Sequence, residues 1–122
     1  MGTIKRFEDI EAWQKARELV KSIYTITSES AFTKDFGLRD QIRRAGVSIM
    51  LNIAEGFARK TDKEFAQFLV HAHGSSAEVQ SALYIALDQR YISKDKFTDL
   101  YDKTGEISKM LVSLSQYLLN KK

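Results

Sequence analysis

The sequence predicts an all-α protein, a single antiparallel four-helix bundle with up-down-up-down topology. Apolar residues recur every three or four positions in four long stretches, which is the period of an amphipathic helix. Polar segments with turn-forming residues separate these stretches. The chain of 122 residues is the size of one domain, so we expect residues 1–122 to form one bundle whose short turns connect antiparallel helices.

The first two helices are expected over about residues 7–28 and 37–58. The apolar positions of the first helix are Ile10, Trp13, Ala16, Leu19, Val20, Ile23 and Ile26. Those of the second helix are Leu38, Ile42, Ala45, Ile49 and Ile53. The segment between the two helices, SESAFTKDFG, is polar and turn-forming.

The third and fourth helices are expected over about residues 62–89 and 94–120. Thr61 and Glu64 form the capping-box pattern T-x-x-E, in which the hydroxyl accepts a backbone amide and the glutamate reaches back to the cap. Ser93 can cap the fourth helix. Small residues from Ala72 to Ala77 would let a neighbouring helix approach closely, which would offset the ~1 kcal/mol that Gly74 costs inside a helix.

The second helix has an unusually wide apolar arc. Beyond the core stripe, apolar side chains cover roughly two thirds of its circumference, so a second cover is needed. In a chain this short, that cover is expected to be another copy of the chain, so we predict a symmetric homo-oligomer. The residues expected at the oligomer interface are Val47, Met50, Leu51, Ala54 and Phe57.

The spacing of the two histidines and the absence of cysteine predict that the protein has no metal site. The chain has no cysteine, which excludes disulfides, thiolate metal ligands and cysteine nucleophiles. His71 and His73 are two residues apart, so on a helix they point about 160° from each other and do not share a metal. No metal and no cofactor are expected.

A catalytic site is not expected either. Glu55 and Glu78 lie well inside the middle helices, where a carboxylate pair could perform acid/base chemistry. The favoured interpretation is structural: Glu55 pairs with Arg59 one turn later, and Ser48 and Asn52 form hydrogen bonds beside it. A phosphate-binding glycine loop and a strand-to-helix nucleophile elbow are lacking. We therefore expect a protein that is not an enzyme and has no small-molecule substrate.

The net positive charge and its distribution are compatible with binding to nucleic acid. Net charge is +3 with a pI near 9.1, which is compatible with phosphate contact. In an up-down bundle one end, here called the basic pole, collects Lys5, Arg6, Arg59, Lys60, Lys63, Lys121 and Lys122. The opposite end, here called the arginine pole, collects Arg39, Arg43 and Arg44. Either pole could bind phosphates, or the charges could serve only helix dipoles and solubility.

A membrane location is not expected. The apolar residues never form a run of about 18, the length needed to span a bilayer. The N-terminal MGTIKRFEDIEAW has no apolar stretch of signal-peptide length. We therefore expect the protein in the cytoplasm, without membrane contact.

Several segments carry a family resemblance that covers nearly the whole chain. The segments are FEDIEAWQKARELV, QIRRAGVSIMLNIAEGFARKTDKEFAQFL, AHGSSAEVQSAL and RYIS. They resemble the four-helix bundle proteins encoded within intervening sequences of bacterial 23S ribosomal RNA genes. The resemblance implies structural roles for the motif residues Ser48, Asn52, Glu55, Gly56 and Gly74.

The same fold is similar to the accessory variability determinant proteins of diversity-generating retroelements, which form pentameric barrels with a basic surface. That resemblance implies a homopentamer and extends RNA or DNA contact to Arg43, Arg44, Arg59 and Lys60; with their neighbours, the candidate set also includes Arg39 and Lys63. An aromatic platform for base stacking is not expected, so binding would be independent of sequence. The alternative is a scaffold that binds another protein and has no nucleic-acid role.

Three positions depart from the family pattern. Met50 stands where the family usually has proline, and Leu51 replaces a small polar residue. His73 replaces the common arginine before Gly-Ser, which removes one candidate phosphate contact. All three changes favour protein-protein packing in this member.

Overall fold

The computed structural model describes residues 4–29 and 31–121. The four helices are α1 (Glu11–Thr27), α2 (Phe36–Phe57), α3 (Asp62–Asp88) and α4 (Lys94–Asn120). Each helix packs against the next one in the chain, and α1 also packs against α4, which closes the bundle. The described residues contain no strand. The all-α four-helix bundle predicted from the sequence is therefore confirmed.

Helix α1 begins later than residue 7, where the first helix was expected to start. Phe7–Asp9 form a short 3-10 turn, and Ile10 is extended, with φ −77° and ψ 120°. The Asp9 carboxylate accepts the backbone amides of Lys5 and Arg6 at 3.3 and 3.2 Å. These bonds cap the turn locally, so the regular helix begins only at Glu11 and α1 is the shortest of the four.

Side-chain caps define where three of the helices begin. The Asp35 carboxylate accepts the Leu38 amide at 3.1 Å, and the Ser93 hydroxyl accepts the Lys96 amide at 3.0 Å, as expected for Ser93. The Thr61 hydroxyl accepts the Glu64 amide and donates to the Glu64 carboxylate, both at 3.1 Å. Glu64 thus reaches the hydroxyl and not the backbone amide, so the expected capping box is only half formed.

The turn between α1 and α2 contributes a core residue that its polar composition conceals. Phe32 lies in the 3-10 turn Phe32–Lys34 and is only 1% exposed. Its ring stacks on that of Tyr91, with centroids 5.1 Å apart. The polar segment is therefore anchored to the turn that follows α3.

Two glycines in the middle helices have opposite surroundings. A Cβ added to Gly56 would lie 2.8 Å from both Phe65 Cδ1 and Phe68 Cβ, so only glycine lets α3 approach α2 this closely. A Cβ added to Gly74 would meet nothing within 4 Å. The close packing expected at Gly74 is therefore wrong for the isolated bundle, because Gly74 lies on the solvent-facing side of α3.

Tyr91 links the turn after α3 to the start of α2. Its hydroxyl donates to Asp35 Oδ2 at 2.9 Å, and this hydrogen bond raises the pKa of Tyr91. Because the folded-state pKa lies above the unfolded value of 10.0, the bond stabilises the fold below about pH 10. That contribution is lost as the pH rises through the raised folded-state pKa.

We expect Tyr91→Phe to be less stable than the wild type at neutral pH. The difference between the two proteins in free energy of unfolding, here called the gap, should narrow above about pH 10. Only the wild type loses the contribution of the Tyr91 hydroxyl there. Urea unfolding between pH 7 and pH 11 measures the gap directly. A gap that stays constant across this range would contradict the role of the hydrogen bond.

Candidate nucleic-acid interface

At the arginine pole, Arg43 is used inside the subunit. Its Nε donates to Thr27 Oγ1 at 2.7 Å, and its Nη2 donates to Ser28 Oγ at 3.2 Å. The guanidinium also lies 4.6 Å from the centroid of the Tyr24 ring. Arg43 thus joins α2 to the end of α1, and its donors are directed at the protein itself.

Arg39 is engaged in the same way. Its Nη1 donates to the Thr33 carbonyl at 3.1 Å, and its Nε donates to Asp40 Oδ1 at 2.9 Å. The hydrogen bond from Arg39 holds the pKa of Asp40 below its usual value. The guanidinium covers the ring of Phe36 at 4.8 Å. Of the three arginines at this pole, only Arg44 is exposed and without a salt bridge among the described residues.

The basic pole has its charges more freely available. Lys121 Nζ lies 3.2 Å from Asp62, which places the end of α4 beside the start of α3 as the topology predicts. Lys60 and Lys63 are exposed, and neither forms a salt bridge within residues 4–29 and 31–121. Lys122, which was assigned to this pole, lies outside the described residues.

Arg59 stands between these lysines and the body of the bundle. Its Nη2 lies 3.1 Å from Glu55, which is the pairing expected from the sequence, and its guanidinium lies 4.7 Å from the Phe68 ring centroid. Both side chains of the ion pair are exposed, and exposed pairs contribute little to stability. The Arg59 guanidinium can therefore exchange the carboxylate for a phosphate at small cost.

A small polar cluster links the middle of α2 to the middle of α3. The Asn52 Nδ2 donates to the carbonyl and to the hydroxyl of Ser48, each at 2.9 Å. The Ser75 hydroxyl donates to Ser48 Oγ at 2.8 Å. Only the bond between Ser75 and Ser48 crosses from α3 to α2, and the two bonds from Asn52 orient Ser48 within α2.

Residues 8–113 match the family described as 23S rRNA-intervening sequence protein. The chain belongs to this family. It is also similar in structure to a protein with unknown function from the S23 ribosomal protein family of Bacteroides thetaiotaomicron VPI-5482, known from a crystal structure. That comparison has a TM-score of 0.78 and 25% sequence identity and covers 86% of this chain and 98% of that chain. No curated protein matches the chain.

The match to the 23S rRNA-intervening sequence protein family includes Arg59, Lys60 and Lys63 but ends before Lys121. The described residues hold no group of three or more His, Cys, Asp or Glu side chains that could bind a metal ion. None of the described helices is long and apolar enough to cross a membrane.

The five residues predicted at the oligomer interface differ in how far they are exposed. Met50 and Phe57 are partly buried and pack against the core of their own subunit. Val47 and Ala54 are also partly buried, whereas Leu51 is 63% exposed. Of these five side chains, only Leu51 is mostly exposed.

Sequence reasoning did not find an aromatic cluster where α3 meets α4. The rings of Tyr84, Phe97 and Tyr101 contact one another, with centroids 4.8 to 5.6 Å apart. A hydrogen bond between the two tyrosines raises the pKa of Tyr101. The signal for this cluster was the spacing of four residues between Phe97 and Tyr101, which places both on one side of α4.

Proposed function

We propose that this protein is a non-catalytic member of its family that binds RNA or DNA by phosphate contacts at the basic pole, without reading the base sequence. The observation that carries the proposal is the contrast between the poles. Lys60 and Lys63 are exposed and unpaired within the described chain beside the exchangeable Arg59, whereas Arg39 and Arg43 are directed at their own subunit.

The chemistry of these side chains favours phosphate over base recognition. Ammonium and guanidinium groups on a helix end contact the backbone of either strand, and such contacts carry no sequence information. Two or three contacts per subunit give weak binding that falls steeply with salt. The proposal therefore includes self-association, in which several copies present their poles together and multiply the contacts. The resemblance to pentameric barrels favours a homopentamer.

A second candidate function is a scaffold that binds another protein. It is favoured by the exposed apolar side chains of α3 and α4, which are typical of protein interfaces. In that case the basic residues only keep the assembly soluble. Salt-dependent binding of nucleic acid separates the two candidates.

The test compares two double variants with equal charge change. Lys60→Glu with Lys63→Glu should weaken binding of labelled structured RNA and duplex DNA at least tenfold at low salt. The slope of log affinity against log salt on duplex DNA should become shallower by roughly 2 for each subunit that contacts the DNA, because each such subunit loses two phosphate contacts. The matched control is Lys94→Glu with Lys96→Glu, which changes two exposed lysines at the start of α4, at the opposite end of the bundle.

Fluorescence anisotropy across a salt series measures both quantities. Equal weakening by the two variants would show that only net charge matters and would remove the basic pole as the binding site. A wild-type protein that binds neither nucleic acid at low salt would favour the scaffold function.

A further inference from the structure

The outer face of α3 and α4 is rich in exposed apolar side chains. It carries more than half of the large apolar side chains that are exposed in the described chain. These are Val70, Tyr84, Ile85, Val112 and Leu119. Monomeric proteins rarely expose contiguous apolar surface on this scale without a partner.

The α3 part of this face carries little charge. Between Phe65 and Leu87, Glu78 is the only Asp, Glu, Lys or Arg of α3. In α4, Glu106 points towards α1, where it forms a salt bridge with Lys15 at 3.1 Å. Depletion of charge combined with exposed aromatic and aliphatic side chains is the composition of an interface core.

The size of this face suits a protein partner. The helices are about 40 Å long and lie about 10 Å apart, so together with their side chains they present on the order of 800 Å². That is the area that each partner contributes to an interface of ordinary size.

A small groove lies in the middle of the face. It has a volume of about 160 Å³ and is lined mainly by Leu69, Val70, His73, Leu111 and Val112. Ligand sites for drug-sized molecules measure roughly 300–1,000 Å³, so this groove is too small for such a ligand. It has room for a single aliphatic side chain.

The other side of the same molecule presents such a side chain. Leu51 is 63% exposed on the outer face of α2, between the partly buried Val47 and Ala54. The exposed Leu51 side chain, here called the ridge, is flanked by Arg44 and Glu55, with which it lines a shallow depression of the surface. A large apolar side chain in this position loses water contact only if a partner covers it.

We propose that Leu51 of one copy inserts into the α3–α4 groove of a second copy. The inference rests on the self-association included in the proposed function and identifies its surfaces. Because the ridge and the groove lie on different faces of the bundle, the contact is head to tail. Repetition of a head-to-tail contact closes a ring when the rotation between copies permits.

The charges beside the two surfaces match when α2 of the first copy runs antiparallel to α3 of the second. Arg44 lies about 10 Å along α2 from Leu51, and Glu78 lies about 12 Å along α3 from Val70. The antiparallel orientation brings these two opposite charges together. Neither Arg44 nor Glu78 forms a salt bridge within the described residues.

A complementation experiment tests both surfaces. Leu51→Asp destroys the ridge and keeps the groove, while Val70→Asp destroys the groove and keeps the ridge. Each variant alone should be monomeric by light scattering, with unchanged helical content, because both positions are largely exposed. An equimolar mixture should form a dimer of about twice the 14.0 kDa subunit mass, since one intact ridge meets one intact groove.

The control is Phe36→Asp, which introduces the same charge at a side chain that is 64% exposed but lies outside both surfaces. Its mass should equal that of the wild type. The proposal is overturned by a monomeric wild type, by a single variant that keeps the full oligomeric mass, or by a mixture that stays monomeric. Those outcomes differ from failure of the nucleic-acid function, because Lys60→Glu with Lys63→Glu should remain oligomeric whatever it binds.

Discussion

Replacing Phe32 by alanine is expected to lower the free energy of unfolding by about 3–5 kcal/mol, the usual cost of removing a fully buried aromatic ring. The ring is 1% exposed and stacks on Tyr91. Its loss leaves a cavity between the turn that precedes α2 and the turn that follows α3. Neither short turn can collapse far to fill it, because Tyr91 is also held by its hydrogen bond to Asp35.

Phe36→Ala is the matched control, because the same atoms are removed four residues later from a side chain that is 64% exposed. Its effect should stay within about 0.5 kcal/mol. Urea denaturation followed by circular dichroism measures both variants. Similar losses at the two positions would mean that Phe32 does not anchor the turn.

Replacing Gly56 by alanine is expected to cost about 2 kcal/mol. The added methyl group would approach two phenylalanine side chains to 2.8 Å and the Phe65 carbonyl oxygen to 3.2 Å. A backbone atom and a Cβ cannot rotate away, so α2 and α3 must separate. This overpacking outweighs the ~1 kcal/mol that alanine gains over glycine in helix propensity.

Gly74→Ala should raise the free energy of unfolding, whereas Gly56→Ala lowers it. No atom lies within 4 Å of the added methyl group, so only the helix propensity changes and stability should rise by about 0.5–1 kcal/mol. Thermal and urea unfolding of the two variants provide the comparison. A loss of stability at Gly74 or a gain at Gly56 would contradict the packing described for these helices.

The sequence predicted the parts of this structure that depend on local periodicity. Four amphipathic stretches became four helices, Ser93 caps α4, and Glu55 pairs with Arg59 one turn away. Each of these features involves residues at most four positions apart or a regular repeat. They follow from helix geometry without knowledge of the tertiary fold.

Other features depend on which residues meet across helices, and the sequence could not show them. The polar segment around Phe32 shows no regular apolar repeat, so nothing in the sequence separated the buried Phe32 from the exposed Phe36. Gly56 and Gly74 are both glycines inside a helix, and they differ only in the atoms that an added Cβ would meet. Arg43 finds its partners on α1, 15 and 16 residues away, and this contact is what distinguishes the two poles.

The candidate oligomer interface shows the same division. The wide apolar arc of α2 includes Leu51, which is 63% exposed, but also Met50 and Phe57, whose side chains pack against the core of their own subunit. The α3–α4 face was missed because its apolar side chains come from two helices. On each helix alone, the number of apolar side chains is no larger than its own core stripe would explain.

The order of the helices also governs how quickly this protein reaches its final state. Each helix packs on the helix that precedes it, so most contacts join segments close in the chain, and such topologies fold in microseconds to milliseconds. The 122 residues contain no proline and no cysteine, so neither prolyl isomerisation nor disulfide exchange delays folding. In the proposed assembly, subunits are therefore complete long before they meet, and the rate of assembly is set by the concentration of folded chains.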